Sequence, residues 1–123
     1  MLQVYKYIIF FWYDLAMRVK ITVHVPVENA DDVRLSLGSA GAGVIGEYSF
    51  CSFTTTGVSR FTPSDRANPY IGQSGKPEEV QEEKVEVVCD RDKAKEAIRL
   101  MREVHPYEEP AFDIVALVEE SEL

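Results

Sequence analysis

Histidine is nearly missing from this chain: only His24 and His105 occur in 123 residues. A three-histidine zinc centre is therefore excluded within one chain, and a catalytic triad has few imidazoles to draw on. Cysteine is equally scarce. Cys51 and Cys89 are too few for a disulfide framework, and both lie in apolar, strand-like runs that suit buried free thiols. Such thiols fit a reducing cytoplasm, the expected location. Positive charge is also short, with 13 Lys and Arg against 21 Asp and Glu and a net charge of −8. Phosphate binding needs clustered basic side chains, so neither nucleic acid nor an anionic membrane surface is an expected partner. Nor is there a long apolar run. The uninterrupted stretch from Tyr7 to Tyr13 falls far below the ~20 residues of a membrane-spanning helix.

What is present first is an aromatic N-terminus. Tyr5, Tyr7, Phe10, Phe11, Trp12 and Tyr13 crowd the first sixteen residues. Asp14 and Leu15 spoil the cleavage region of a secretory leader. Met17 stands directly before the first good strand. Residues 1–16 are therefore read as an extension, either an upstream tail or an element that packs on a neighbouring subunit. Residues 17–123 have the length of one domain.

Val19, Ile21, Val23 and Val25 alternate with polar residues and predict a strand ended by Pro26. Asn29 sits where it can cap a helix with Asp31 and Asp32 in its first turn. Ala30, Val33, Leu37 and Ala40 recur at helical spacing, and Gly41 suits the position just past the helix end. A second strand is predicted over about Val44–Thr56 from its aromatic and β-branched content. Residues 57–82 show no clean period, carry three prolines and an acidic stretch, and predict a long loop. Val85, Val87 and Cys89 predict a third strand. Asp90 caps a second helix with Ala94, Ala97, Ile98, Met101 and Val104 buried and Arg91, Lys95, Arg99 and Arg102 facing water. Pro106 pushes His105 out of helical geometry. Phe112, Ile114, Ala116 and Val118 alternate as a fourth strand. The order β-α-β-β-α-β predicts an α+β, ferredoxin-like fold: an antiparallel four-stranded sheet with both helices on one face. Val88, Val115 and Leu117 point to the other face, which predicts a homo-oligomer.

Three constellations could carry chemistry. Gly41-Ala42-Gly43-Val44-Ile45-Gly46 has the letters of a dinucleotide fingerprint, but it follows a helix and precedes a strand. The phosphate-binding arrangement needs the reverse order, so a helix cap and a tight turn are the better reading. Ser49, Ser52, Cys51 and Cys89 lack a nucleophile-elbow setting. The block His105-Pro106-Tyr107-Glu108-Glu109-Pro110 puts an imidazole, a phenol and two carboxylates between prolines. His105, Glu108 and Glu109, with Cys51, are candidate ligands for a divalent ion such as zinc or copper. The competing reading is a rigid corner in which the prolines stop the helix and start a strand.

The same block resembles the corresponding corner of CutA-type divalent-cation-tolerance proteins. A fuller set resembles the YqfO family, whose CutA-like domain is also inserted in NIF-three-like dinuclear-metal proteins. The matching stretches are Ala42–Tyr48, Cys51-Ser52-Phe53, Phe61-Thr62-Pro63, Ala67-Asn68-Pro69-Tyr70-Ile71-Gly72, Gly75–Val80 and His105–Asp113. The chain departs from the family pattern at Phe50 and Arg66. The resemblance covers about residues 18–118. It implies a CutA/PII-like subunit, expected as a trimer, with the segment 57–82 where PII-like trimers carry an effector-contacting loop. The implied function is a non-enzymatic regulatory or ligand-binding module. Arg66, Asn68, Tyr70, Lys76 and Tyr107 are its candidate ligand contacts. The alternatives are a divalent-metal-binding protein or a small metal-dependent hydrolase.

Overall fold

A nine-residue strand, β1 (Arg18–Pro26), forms the middle of the sheet because its alternate residues are fully apolar. It is followed by a 3-10 turn at Val27–Asn29, helix α1 (Ala30–Ser39), β2 (Phe53–Phe61), β3 (Glu78–Asp90), helix α2 (Arg91–Val104) and β4 (Phe112–Ala116). The computed structural model describes residues 18–123, so the expectations for residues 1–16 and for Met17 lie outside the described residues. The sheet order is β2-β3-β1-β4 with every pairing antiparallel. This is the ferredoxin-like arrangement expected from the order of elements.

Val19, Ile21, Val23 and Val25 of β1 and Val85, Val87 and Cys89 of β3 form the apolar floor. Ala30, Val33 and Leu37 of α1 and Ala94, Ala97 and Met101 of α2 close over it. α1 stops by a Schellman pair: Gly41 N–H donates to Gly38 O at 3.0 Å and Ala42 N–H to Leu37 O at 3.2 Å. Arg34 ties α1 to the sheet, donating to Glu83 Oε2 at 3.2 Å and to Thr54 Oγ1 at 3.1 Å.

Several expectations are corrected. The second strand does not start near Val44. Residues 44–52 form turns, with Ile45 bridged to Tyr48, and β2 runs Phe53–Phe61. The predicted loop 57–82 shrinks to 62–77, because β2 and β3 extend into it as a hairpin. Asn29 and Asp90 occupy the N-cap positions, but neither side chain caps. Val104 is 37% exposed rather than buried. On the face away from the helices, Phe53 and Val115 stand exposed.

Candidate functional site: the cleft beside the Tyr107 corner

The corner begins where α2 ends. Pro106 holds His105 extended, at φ −74° and ψ 131°. This swings the imidazole inward, where it is only 6% exposed. Nε2–H donates to His24 O at 2.7 Å, and Nδ1 accepts from Tyr107 N–H at 3.2 Å. Both ring nitrogens are thus engaged and the Nε2–H tautomer is fixed. Burial pushes the His105 pKa down, while the carbonyl bond and the nearby Glu82 charge pull weakly upward.

Tyr107 turns back over the end of the sheet. Its hydroxyl donates to Glu82 Oε2 at 2.7 Å, and Glu82 is 3% exposed. Burial, then the bond to Glu82, then the charges of Glu82 and Glu28 raise the phenol pKa well above the ordinary value. Three rings meet there. The Tyr107 centroid lies 6.1 Å from Phe61 in an edge-on contact and 6.3 Å from Tyr70. The loop 62–77 is pinned to the corner by Asn68 N–H, which donates to Glu108 Oε1 at 2.9 Å. It is closed at its own mouth by Gly75 N–H to Pro63 O at 2.8 Å. Between loop and corner lies an apolar cavity of about 320 Å³ that includes Phe61, Pro63, Tyr70, Glu82, Tyr107 and Glu108.

The candidate residues divide accordingly. Tyr70, Tyr107, Glu108 and Glu109 line the cavity. Asn68 holds its wall through the backbone. Arg66 stays outside the lining, and Lys76 borders a separate hollow with Gly72 and Glu78. Cys51 lies elsewhere, its Sγ 3.9 Å from Ser49 O, and its amide is bound to Gly43. The proposed zinc or copper ligands His105, Glu108, Glu109 and Cys51 are therefore not gathered within one chain. Among the described residues, no group of three or more His, Cys, Asp or Glu is arranged to hold a metal ion. Cys89 is buried, and burial pushes its thiol pKa up, so it remains a protonated core thiol.

Glu82 and Phe61 are absent from the site residues expected from the sequence. Glu82 sits in an acidic run that reads as solvated. In the fold it is buried between β1 and β2 and bonded to Tyr107, twenty-five positions away. Replacing Tyr107 with phenylalanine is expected to cost about 1–2 kcal/mol, because Glu82 loses its donor while the ring stays. Urea unfolding measures this; a loss below about 0.3 kcal/mol would show the bond to be energetically idle.

Among the described residues, no helix is long and apolar enough to cross a membrane. No family model matches the chain. Curated proteins do. The chain is 48% identical over 99 residues to the GTP cyclohydrolase 1 type 2 homolog of Mycobacterium tuberculosis, covering 80% of this chain and 26% of that protein. It is 47% identical over 95 residues to the protein of the same name in Bacillus subtilis, covering 77% and 26%. Among solved structures, a Bacillus cereus protein related to NIF3 superposes with TM-score 0.73 at 37% identity, over 84% of this chain and 26% of that one. The divalent cation tolerance protein CutA of Archaeoglobus fulgidus superposes with TM-score 0.58 at 22% identity, over 85% of each chain. Bacillus subtilis GlnK does so with TM-score 0.56 at 10% identity, over 82% and 85%; these last two show the fold alone. The chain spans about a quarter of the curated relatives it matches. By sequence and by fold, it belongs with the CutA-like portion of the YqfO and NIF3-related family.

Proposed function

We propose that this chain is a non-enzymatic, CutA/PII-like regulatory or ligand-binding module that works as a homo-oligomer, a trimer, in the cytoplasm. The observation that carries the reading is the preformed cleft of about 320 Å³ between loop 62–77 and the Tyr107 corner. Its walls are set by the Asn68–Glu108 and Tyr107–Glu82 hydrogen bonds. A concave, largely apolar site with a few converging polar groups is the ordinary form of a small-molecule site. Support for assembly comes from the sheet face opposite the helices. Phe53 is 66% and Val115 53% exposed there, a placement that a neighbouring subunit would cover.

Light scattering on the purified chain tests the assembly. The expected mass is three times the 13.9 kDa chain, and Val115→Glu is expected to shift it towards the single chain. A 13.9 kDa species at all concentrations overturns the oligomer. A compound screen read by amide NMR tests the cleft. Ligands are expected to move Tyr70, Tyr107 and Ala111 together; hits that consistently leave these residues still overturn the site.

A further inference from the structure

We infer that the cleft takes a small organic ammonium: a cationic nitrogen carried on an apolar body. The inference rests on the reading of the cleft as a ligand site and names the chemistry of its occupant. Glu82, 3% exposed, is one of the residues that line the cleft. Among the described residues its one side-chain hydrogen-bond donor is the neutral Tyr107 hydroxyl, 2.7 Å from Oε2, and none of their Lys or Arg side chains forms an ion pair with it. No fully enclosed side-chain oxygen among the described residues lacks a partner. The unbonded Oε1 of Glu82 is therefore not sealed in, and the side chain borders the cleft. A carboxylate removed from water without a cation is costly, and a ligand cation at Oε1 relieves that cost.

The rings point the same way. Phe61, Tyr70 and Tyr107 line the same cleft as this carboxylate; the Tyr107 hydroxyl is bonded to it, and the Tyr107 ring centroid lies 6.1 Å from Phe61 and 6.3 Å from Tyr70. Aromatic rings and a carboxylate lining one cleft suit a desolvated ammonium. The field agrees. Glu82, Glu108 and Glu109 line the cleft against one guanidinium, Arg60, which is already held by Glu79 at 3.0 Å. That balance attracts a cation and repels carboxylates and phosphates. A cavity of about 320 Å³ is at the small end of ligand sites, which suits an aralkyl or alkyl amine.

Three probes of one shape and different charge decide the matter on the full chain: benzylammonium, benzyl alcohol and benzoate, followed by NMR titration. Benzylammonium is expected to bind tightest and to move Tyr70 and Tyr107. Glu82→Gln keeps an acceptor for Tyr107 and removes the charge. It is expected to weaken benzylammonium about tenfold and leave benzyl alcohol unchanged. The exposed Glu109→Gln gives a second reading of the same charge, expected as a weakening of about twofold. Tyr70→Ala is expected to weaken both the amine and the alcohol. If benzyl alcohol or benzoate binds at the same residues as tightly as the amine, the ammonium assignment is overturned while the cleft stands. If none of the three moves cleft residues, both the assignment and the cleft reading are overturned.

Discussion

Gly43→Ala is expected to destabilise the fold by about 2–4 kcal/mol and to lower the thermal midpoint by on the order of 10 °C. Gly43 adopts φ +79°, a left-handed backbone that alone costs an L-residue about 1–2 kcal/mol. A methyl group there would also lie 2.4 Å from Cys51 O and 2.9 Å from Cys51 N. Those atoms are backbone and cannot rotate away. They are held in place by the very contact at risk. Gly43 N–H donates to Val88 O at 2.8 Å, and Cys51 N–H donates to Gly43 O at 2.8 Å. The pair fastens the turn region 44–52 to β3, so the backbone must shift there to admit the methyl. Gly46→Ala is the control. It has φ +57° with open space around the new carbon, and so carries only the backbone term of about 1 kcal/mol. Circular dichroism melts of the two variants check the difference; equal melting of Gly43→Ala and Gly46→Ala would remove the clash from the account.

That same turn explains where the sequence misleads. β1 and the two helices were legible because each sets its apolar residues on one face, so period 2 and period 3.6 appear directly in Val19–Val25, in Ala30–Leu37 and in Ala94–Met101. Val44, Ile45, Tyr48 and Phe50 have strand-like composition, yet they are 49%, 55%, 75% and 55% exposed. Apolar composition without burial on one side marks surface turns here, not a strand. The real β2, Phe53–Phe61, is rich in Thr, Gly and Ser. It is an edge strand exposed along most of its length, so no apolar stripe announces it. The fingerprint-like glycines proved to be a helix stop and a tight turn, because the chain order around them is helix first and strand second.

The site was half legible for a related reason. Pro106 and the polar density after it marked the corner, since a proline following a helix dictates a local backbone that the sequence displays. Tyr70 could be chosen only through the family resemblance. Glu82 could not be chosen at all. A carboxylate between Gln81 and Glu83 has no local feature that separates it from a solvated neighbour; its role depends on a tyrosine that folding brings to it. Arg66 and Lys76 carry attractive charges in the sequence, but neither lines the cleft, and Lys76 borders a separate hollow.

His105→Ala is expected to cost about 2–4 kcal/mol near neutral pH, with much of that penalty disappearing in acid. The substitution leaves His24 O without its 2.7 Å donor, takes the acceptor from Tyr107 N–H and opens space beneath the Tyr107 ring, whose centroid lies 5.2 Å from the imidazole. The pH dependence follows from the buried neutral ring. Burial is the largest influence and holds the folded pKa below the ordinary 6.5, with the bond to the His24 carbonyl and then the Glu82 charge offsetting it only in part. The unfolded chain then takes up a proton at higher pH than the folded one. The contribution of His105 is fully present above 6.5 and is lost as pH falls through the lower, folded value. Wild type should therefore lose stability on acidification more steeply than His105→Ala, so that the gap between them narrows from about pH 8 to about pH 5. His105→Gln, which can still donate to His24 O, should recover part of the loss at neutral pH without recovering the acid dependence. Urea unfolding across that range, with the imidazole resonances followed by NMR, reads both terms. Parallel pH profiles for wild type and His105→Ala, or a His105 ring that titrates above 6.5, would mean that the corner is not held by a neutral imidazole.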